Sequence, residues 1–593
     1  MGDRRAAAAR DFLSDAARQR NDRASRRRAP RRHHGADDDS LGRRRRRRPA
    51  LLCRSAARWN RECEDARHRR RRPHPAPATA GAIPPMFDFD LLSERARVTP
   101  DRLALVSIET GERLTYAQLD ERTERAAQTL RAILKPGDRF GILAHNCIEF
   151  LELFFAAGRA NAIAVPLSTR ATAHELTHIA TDCEMRALFY TNEFADIALA
   201  LPVPTKLAFP APAPVPASAP GAAVLVASLA PTPGAGAGAG TGKDRGAGAG
   251  SGAGPDEQTY CLLYTSGTTG KPKGVMIPKR QLYWNGYNTA LNWGLREDDV
   301  SPVFTPLYHA GGIAAFLIPI FCAGGTIVLH KSFHVAQVWR TIEQERCTVV
   351  LGVPTIWKLL MEASEFATAD LKCVRWFISG GAPLPQYIID AYQQRGVVFK
   401  QGYGMTEVGV NCFTMTVEDS FRKPGSIGKP MLFTEVKLEN MDGNVGEMYI
   451  RGPHVSLGYW NNEEATRAAY GDDGFFRTGD LARRDEDGFF YIAGRRKEMF
   501  ISGGVNVYPA EIEAELVAHP SVSDAAVIAI PDDTWGEAGV AFIVGNITSD
   551  DLTAYLGLRI AKYKLPRRFV FVDALPRTPY GKVEKEKLRT LLS

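Results

Sequence analysis

The segment Tyr264-Thr-Ser-Gly-Thr-Thr-Gly-Lys-Pro-Lys-Gly274 follows a short apolar run, residues 260–263, that predicts a buried strand. Its eleven positions hold three glycines, four hydroxyl side chains and two lysines. Glycines let backbone N–H groups approach an anion closely, and hydroxyls and lysines add donors and charge. The glycine spacing differs from that of a Walker loop, and no Lys-Ser/Thr pair closes it. The segment predicts a phosphate-binding loop, and a flexible surface loop is the alternative.

Six further motifs follow along the chain. They are Tyr308-His-Ala-Gly-Gly312, Ser379-Gly-Gly-Ala-Pro383, Gln401-Gly-Tyr-Gly-Met-Thr-Glu407, Arg477-Thr-Gly-Asp480 with Gly494-Arg-Arg-Lys-Glu498, Ser502-Gly-Gly-Val-Asn-Val-Tyr-Pro509 and Pro576-Arg-Thr-Pro-Tyr-Gly-Lys582. In this order, over about residues 95–590, the chain resembles the adenylate-forming superfamily of acyl-CoA synthetases, luciferases and peptide-synthetase adenylation domains. A single glycine turn or exposed charge is common in other folds, so the joint order of the motifs carries the resemblance.

The resemblance implies an ATP site built from several loops. Small residues allow close backbone approach to a flat ligand, and the aromatic ring of Tyr403 can stack on a purine. Asp480 would accept hydrogen bonds from the ribose diol, and Arg495 would reach ribose or phosphate. The remaining nucleotide contacts implied for this chain are Thr265, Ser266, Gly267, Thr268, Thr269, Gly270, Lys273, Gly381, Ala382, Pro383, Gln401, Gly402 and Gly404.

The resemblance also implies the catalytic residues. Lys582 would bridge the carboxylate and the α-phosphate, where negative charge builds as the bond to phosphorus forms. Thr406 would contact the α-phosphate, and Glu407 would help to hold Mg²⁺, which prefers oxygen ligands and keeps several waters. His309 would lie between the nucleotide and the acid. Read without the resemblance, these are a solvent-exposed lysine, a glycine turn with an ordinary glutamate, and a structural histidine.

Three more sites follow from the resemblance. Gly311 and Gly312 would leave room for an acyl chain beside His309. Gly503 and Gly504 would let the pantetheine arm of CoA pass, and Lys497 would lie near the hinge of the C-terminal domain. Many relatives carry Glu or Phe where this chain has Val505.

The alternation of helical and strand patterns predicts an α/β fold with mainly parallel sheets. We expect a large AMP-binding N-terminal domain over residues 86–495, made of α/β sheet subdomains. A small, mobile α+β C-terminal domain would follow over residues 496–593. The chain of 593 residues is 45% hydrophobic, which suffices for several cored domains.

Two segments differ from the rest in composition. Residues 1–85 hold 25 Arg, no Lys and 10 acidic residues, which predicts disorder. Such a composition is typical of GC-rich DNA translated upstream of the true start, so our hypothesis is a start at Met86, which mass spectrometry of the native N-terminal peptide would test. A basic arm for nucleic acid or anionic lipid, or a targeting peptide, are alternatives. Residues 201–256 read as a Pro/Ala/Gly insert that bulges from one domain, or else as a tether between two.

Residues 86–593 hold 50 basic and 57 acidic residues, so no nucleic-acid surface is expected. The nine cysteines are scattered without a Cys-x-x-Cys pair, which fits a reduced cytoplasmic location. The most apolar stretch, residues 313–329, is broken by Pro319 and two glycines, which predicts a buried helix, a turn and a strand rather than a membrane span. Peripheral membrane contact stays open, as does the oligomeric state.

The resemblance implies an ATP-dependent acyl-CoA ligase that converts a carboxylic acid through an acyl-adenylate to its CoA thioester, releasing AMP and pyrophosphate. A medium- or long-chain fatty acid is the first expectation, because residues 309–316 carry no charge beyond the histidine and the pattern looks closest to bacterial fatty-acyl-CoA synthetases. An aryl-acid ligase of the coumarate type and an acyl-AMP ligase that loads a carrier protein are alternatives. A nucleotide-binding relative without turnover, or a basic-arm interaction protein, are alternatives from other classes.

Overall fold

The computed structural model of this chain describes residues 89–209, 258–265, 272–502, 504–578 and 582–592. The predicted basic extension, residues 1–85, lies outside the described residues, and so do residues 210–256 of the predicted insert.

The strands alternate with helices through the first two thirds of the described chain. In chain order they are β1 (Leu103–Ser107), β2 (Arg113–Thr115), β3 (Arg139–Leu143), β4 (Ile163–Pro166), β5 (Ala187–Thr191), β6 (Thr205–Phe209), β7 (Thr259–Thr265), β8 (Lys273–Pro278), β9 (Val300–Val303), β10 (Thr326–Leu329), β11 (Val349–Gly352), β12 (Trp376–Ser379), β13 (Phe399–Gln401), β14 (Phe413–Thr414), β15 (Lys429–Pro430), β16 (Glu435–Asp442), β17 (Val445–Arg451), β18 (Phe476–Arg484), β19 (Phe490–Arg495), β20 (Phe500–Ser502), β21 (Val505–Val507), β22 (Val522–Asp532), β23 (Gly536–Gly545) and β24 (Arg568–Phe571).

The helices cover the sheets and connect their strands. They are α1 (Leu91–Val98), α2 (Tyr116–Ile133), α3 (Ile148–Arg159), α4 (Ala173–Asp182), α5 (Ala195–Ala200), α6 (Lys279–Trp293), α7 (Ala310–Gly312), α8 (Ile318–Ala323), α9 (Val335–Gln344), α10 (Pro354–Glu362), α11 (Gln386–Gln394), α12 (Val417–Arg422), α13 (Glu463–Ala469), α14 (Pro509–Val517), α15 (Ser549–Gly557) and α16 (Lys585–Thr590). Local sequence sets several of their starts. Capping boxes begin α2 and α4, and proline at a first position begins α10 and α14.

The largest sheet carries the predicted phosphate loop and has the strand order β6-β5-β3-β4-β7-β8. Its neighbouring strands are parallel except β7 and β8, which pair antiparallel across the loop. Parallel strands are connected through helices that cover both faces, and every residue of β4 and β5 is buried. A second sheet, β2-β1-β10-β9, and a third, β11-β12-β13, are also mainly parallel. The predicted α/β class is confirmed.

Residues Ile313–Leu317, between α7 and α8, form a π-helical turn. A π turn widens the helix, and two buried side-chain amides bond to its carbonyl groups. Asn285 Nδ2 donates to the carbonyl oxygen of Ala314 at 2.7 Å, and Asn411 Nδ2 donates to that of Ala315 at 2.8 Å. Buried backbone groups need partners, so these amides stabilise the turn. The predicted helix, glycine turn and strand over residues 313–329 are otherwise present as α8, Gly324-Gly325 and β10.

The last two sheets are mostly antiparallel. The first has the order β16-β17-β18-β19 and ends at Arg495. The second has the order β21-β20-β23-β22, with β24 parallel to β23. Alternate residues of β22 enter two different hydrophobic clusters, one shared with α14 and α15 and the other with Leu588 of α16. The C-terminal sheet is therefore covered by helices on both faces.

Lys585 of α16 joins two parts of this C-terminal region. Its Nζ lies 2.8 Å from Glu513 Oε1 on α14 and 2.7 Å from Glu498 Oε2, which precedes β20. The Lys585 side chain keeps only 18% of its surface exposed. The charge of this buried lysine is thus balanced by two carboxylates, one of which lies close to the predicted hinge at Lys497.

The predicted start of the Pro/Ala/Gly insert at Leu201 is wrong. Residues Thr205–Phe209 form β6, which pairs in parallel with β5 at the edge of the largest sheet. The prolines at 202 and 204 suggested a loop, but Phe209 is buried and Leu207 packs against the main core. The burial of these apolar side chains outweighs the loop signal of the two prolines.

Among the described residues, no helix is long and apolar enough to cross a membrane. The cysteines of the described ranges are free thiols.

Candidate active site

The predicted phosphate loop connects two paired strands. Thr265 ends β7 opposite Lys273, which begins β8. Ser266, Gly267, Thr268, Thr269 and Gly270 lie outside the described residues. The Lys273 ammonium lies 5.4 Å from the centre of the Tyr459 ring, a cation–π distance. The loop therefore opens next to the segment that contains Tyr459.

The two segments predicted to bind adenine lie side by side. They follow the adjacent strands β12 and β13, and the Gly402 N–H donates to the Ser379 carbonyl at 2.8 Å. Gln401 Oε1 accepts from the Leu384 N–H at 3.2 Å, which fixes the turn through Gly381, Ala382 and Pro383. These three residues are exposed. Gly404 is required by packing, because a side chain there would meet the Val410 backbone at 2.3 Å.

Asp480 stands at the centre of a hydrogen-bonded cluster. The hydroxyl of Tyr403 donates to Asp480 Oδ2 at 2.5 Å, and Arg495 Nε lies 3.0 Å from Asp480 Oδ1. Asp480 and Arg495 are cross-strand partners on β18 and β19, so the sheet sets their separation. Burial and the neighbouring carboxylate raise the pKa of Tyr403 well above its usual range, which keeps its hydroxyl a donor. The predicted stacking residue is thus tied to the predicted ribose ligand.

Thr406 and Glu407 lie on a tight turn, Thr406–Val408, and both are buried. Gln281 Nε2 donates to the Thr406 carbonyl at 2.8 Å, and the Tyr459 hydroxyl donates to Glu407 Oε1 at 3.1 Å. Burial raises the pKa of Glu407, while nearby Lys582 and Arg495 act in the opposite direction. The bond from Tyr459 therefore fixes one oxygen of the Glu407 carboxylate.

Lys582 lies on a hairpin near the end of the chain. The Thr578 N–H donates to the Lys582 carbonyl at 2.8 Å, and the Lys582 N–H donates to Thr578 Oγ1 at 3.2 Å. The Lys582 side chain keeps accessible surface, but the surrounding protein removes part of its hydration. This loss and the charge of Arg495 lower the pKa of Lys582, whereas Asp480 and Glu407 act to raise it. The hairpin therefore brings the lysine to the same cluster of charges as the predicted nucleotide ligands.

His309 caps the start of α7, where its Nδ1 accepts a hydrogen bond from the Gly311 N–H at 3.1 Å. This bond assigns the imidazole proton to Nε2. Loss of hydration, with a smaller effect from Lys582, lowers the pKa of His309 to about 3, so the ring is neutral at physiological pH. The charge of Lys582 therefore reaches the His309 ring.

The expectation that Gly312 leaves room for an acyl chain is wrong. A side chain at Gly312 would meet the Pro306 carbonyl oxygen at 2.2 Å, so the glycine serves the packing of α7 against the preceding turn. On the C-terminal side, Gly504 adopts a left-handed φ of 80° with open space around it, and Gly503 lies outside the described residues. The charge of Lys497, the residue predicted to lie near the hinge, acts on Lys582.

Two residues of this site were missed by sequence reasoning. Tyr459 belongs to a segment that adds to the edge of β8, since Met276 N–H donates to the Gly458 carbonyl at 2.9 Å and Trp460 N–H to the Gly274 carbonyl at 2.7 Å. Gln281 lies at the start of α6. Both contact the turn that holds Thr406 and Glu407 from more than fifty residues away. The glycine-aromatic sequence 458–460 was the single local signal.

We expect Tyr459→Phe to lower the rate of acyl-adenylate formation by about tenfold, because a hydrogen bond to a charged group is worth about 1.5–3 kcal/mol. ATP–pyrophosphate exchange measures this half-reaction. Tyr392→Phe is the matched control, because it also removes a buried tyrosine hydroxyl, bonded there to the Trp357 carbonyl away from the site. Equal rates for both variants would contradict the assigned role of Tyr459.

Two protein-family models match the chain. The AMP-binding enzyme model covers residues 92–460, and the AMP-binding enzyme C-terminal domain model covers residues 511–582. Tyr403 and Glu407 lie within the first model and Lys582 is the last residue of the second, whereas Asp480 and Arg495 fall between the two.

Individual relatives match over nearly their whole length. The chain is 38% identical to a feruloyl-CoA synthase of Amycolatopsis sp., over 84% of this chain and 97% of the relative. It is 36% identical to the long-chain-fatty-acid–CoA ligase FadD13 of Mycobacterium tuberculosis, over 84% and 97%. The structure of o-succinylbenzoate CoA synthetase from Bacillus subtilis, in complex with ATP and magnesium ion, superposes with a TM-score of 0.70 at 30% identity, over 84% of this chain and 99% of that one.

The order of the motifs predicted the similarity to these ligases. The position of Lys582 among Glu407, Asp480 and Arg495 agrees with that prediction. Since the first family model covers more than half of the chain and the relatives match across almost their full length, this chain belongs to the AMP-binding enzyme family, within the acyl-CoA synthetase superfamily.

Proposed function

We propose that this acid–thiol ligase joins a carboxylic acid to CoA in two steps through an acyl-adenylate, with ATP as the energy source. One observation carries the proposal. Lys582, near the end of the chain, interacts electrostatically with Glu407, Asp480 and Arg495, all of which precede the C-terminal region. This places one ammonium beside both the predicted ribose ligand and the predicted Mg²⁺ ligand.

In the first step, a carboxylate oxygen of the acid attacks the α-phosphorus of ATP, the α–β phosphoanhydride bond breaks, and pyrophosphate leaves. The two reacting groups are both anionic, so the Lys582 ammonium would stabilise the charge that builds between them. Asp480 would orient the ribose, with Arg495 and Tyr403 holding the carboxylate in place. The segment 265–273 would bind the leaving pyrophosphate. His309, neutral and donating from Nε2, would border the acid.

Mg²⁺ fits the donor set of this site. The buried Glu407 offers one carboxylate, and Mg²⁺ usually takes one or two protein carboxylates together with substrate phosphates and water. When bound, the ion would neutralise phosphate charge. Tyr459 would leave one Glu407 oxygen for it, since the tyrosine hydroxyl bonds to the other.

In the second step, the CoA sulfur attacks the acyl carbon, and the carbon–oxygen bond to AMP breaks. We propose that the C-terminal region turns about the backbone near Lys497, so that Lys582 leaves and the turn at Gly503 and Gly504 approaches. The left-handed φ of Gly504 and the open space around it support passage of a narrow thiol arm. The exposed Val505 borders the same turn.

We propose that the acid carries a large apolar group, and a medium- or long-chain fatty acid is the first candidate. A cavity next to Thr406 is lined by the apolar residues Ile277, Leu282, Ala310, Ala314 and Val410. The cavity measures about 10 Å³, enough for about one water, so any acid has to displace the lining side chains. An aryl acid of the coumarate type is the second candidate, supported by the similarity of this chain to a feruloyl-CoA synthase.

The test is product formation by the purified full chain with ATP, Mg²⁺, CoA and a panel of alkyl and aryl acids, followed by mass spectrometry. We expect acyl-CoA and AMP. Acyl-adenylate without thioester would make a carrier protein the acceptor. Absence of both products from every acid in the panel would contradict the proposed ligase.

A further inference from the structure

The hairpin of β16 and β17 lies beside the proposed pivot at Lys497. Glu447 of β17 is 4% exposed, and its Oε2 lies 2.8 Å from Nη1 of Arg496, the residue directly before the pivot. The Arg496 N–H also donates to the Gly479 carbonyl at 2.9 Å. Arg496 is thus fixed to the sheet β16-β17-β18-β19, which would stay in place while the C-terminal region turns.

The tip of the same hairpin contacts residues beyond the pivot. Asp442 ends β16, and its Oδ2 accepts hydrogen bonds from Asn506 Nδ2 at 2.8 Å and from the Tyr508 hydroxyl at 3.1 Å. Loss of hydration and the Asp442 carboxylate raise the pKa of Tyr508 to about 12, so its hydroxyl stays a donor. Asn506 belongs to β21 and Tyr508 precedes α14, so both donors lie in the region that carries Lys582.

The two hydrogen bonds to Asp442 cannot survive the proposed turn. Asn506 and Tyr508 follow the turn at residues 503–504 closely in the sequence, and that turn would approach the acyl-adenylate in the second step. Moving it there would carry both donors away from the hairpin. The bonds therefore belong to the arrangement in which Lys582 lies at the candidate site.

We propose that Asp442 is a positioning residue for acyl-adenylate formation. By accepting from Asn506 and Tyr508, it favours the arrangement that brings Lys582 to the site, and it releases both donors before CoA attacks. The inference rests on the proposed ligase function and adds a residue that acts on the reaction through the position of Lys582. Because the bonds form in one arrangement only, their free energy shifts the equilibrium between the two arrangements.

The ratio of the two half-reaction rates reports this equilibrium. Each rate scales with the population of the arrangement that carries out the step, so the ratio changes by the same factor as the equilibrium. ATP–pyrophosphate exchange by the full chain measures adenylation, and conversion of a synthetic acyl-adenylate and CoA measures thioester formation. A variant that only destabilises the fold lowers both rates together and leaves their ratio unchanged.

Substitutions at the hairpin test the position of the acceptor. Asp442→Ala should lower the ratio of adenylation to thioester formation by about three- to tenfold, because it removes two hydrogen bonds between exposed groups. Asp442→Asn keeps an oxygen acceptor without the charge, so its ratio should lie between those of the alanine variant and the unaltered protein. Glu439→Ala is the control, because Glu439 lies on the same strand and pairs with Lys437 instead. Its ratio should equal that of the unaltered protein.

A double-variant cycle tests whether Asp442 acts through its donors. Tyr508→Phe removes one donor and should lower pyrophosphate exchange less than Asp442→Ala does. Adding Tyr508→Phe to Asp442→Ala should cause little further loss, because the bond between the two residues is already absent. Fully additive losses would mean that the two residues act independently, and they would overturn the inference.

The outcomes separate this inference from the proposed function. An unchanged or raised ratio in Asp442→Ala would overturn the inference alone, since both half-reactions would still proceed. Absence of pyrophosphate exchange by the unaltered protein with every acid would instead contradict the ligase function on which the inference rests.

Discussion

Lys582→Ala is expected to slow acyl-adenylate formation by about 10²–10³-fold, the usual cost of removing one group that stabilises charge in the transition state. The charges of Asp480, Glu407 and Arg495 act on this ammonium, so the lysine lies among the predicted ribose and Mg²⁺ ligands. ATP–pyrophosphate exchange measures this step directly.

Thioester formation from acyl-adenylate and CoA provides a stricter test of the role of Lys582. Because Lys582 would have left the site when CoA attacks, the variant should convert a synthetic acyl-adenylate and CoA to thioester at close to the normal rate. Lys587→Ala serves as the control, since this lysine of α16 is exposed and pairs with Glu584 on the surface. Full-rate adenylation by the Lys582 variant would refute the mechanism, and equal losses in both steps would indicate a structural role.

Asp480→Asn is expected to lower kcat/KM for ATP by about 100-fold. The substitution keeps the shape of the side chain but removes the charge that Arg495 neutralises and that the Tyr403 hydroxyl bonds. Hydrogen bonds to charged groups are worth about 1.5–3 kcal/mol each, and those to a ribose diol would be weakened as well. Steady-state kinetics at varied ATP concentration, with a saturating acid, measures the change.

Deoxy-ATP separates ribose binding from support of the fold. If Asp480 binds the ribose hydroxyls, 2′-deoxy- and 3′-deoxy-ATP should react poorly with the unaltered protein, whereas the Asp480 variant should lose little more on the same change. Asp485→Asn is the control on the same hairpin, because Asp485 pairs with Lys423 instead. Additive losses for the Asp480 variant and deoxy-ATP would argue against ribose binding.

The sequence was sufficient to predict the strands and helices whose side chains follow a regular pattern. The apolar run 260–263 lies within β7, and the apolar stretch 313–329 contains the expected helix, glycine turn and strand. These elements bury a face that is continuous along the chain, so local patterning describes them well. The edge strand β6 was missed because the two prolines that precede it are visible in the local sequence, whereas its pairing with β5 depends on residues far along the chain.

Less of the candidate site than of the fold could be predicted from the sequence. The loops that hold Glu407, Asp480 and Lys582 could be recognised because their residues form contiguous motifs. Tyr459 and Gln281 could not, because each acts through a single contact to a distant turn, and neither contact leaves a periodic trace in the sequence. The Gly312 expectation failed for a related reason, since a motif shows that a side chain is absent and does not show which neighbour fills the space.

The buried pairing of Lys585 with Glu513 and Glu498 has a mechanical consequence for the proposed turn at Lys497. Glu498 follows that residue directly, and Lys585 ties it to the helices of the C-terminal sheet. These ion pairs fix the residues that follow Lys497 to the C-terminal region that would rotate. Their backbone torsion angles would therefore stay unchanged during the turn. The rotation would then be concentrated in the few backbone bonds around Lys497, so the C-terminal region would move as a rigid body about a short hinge.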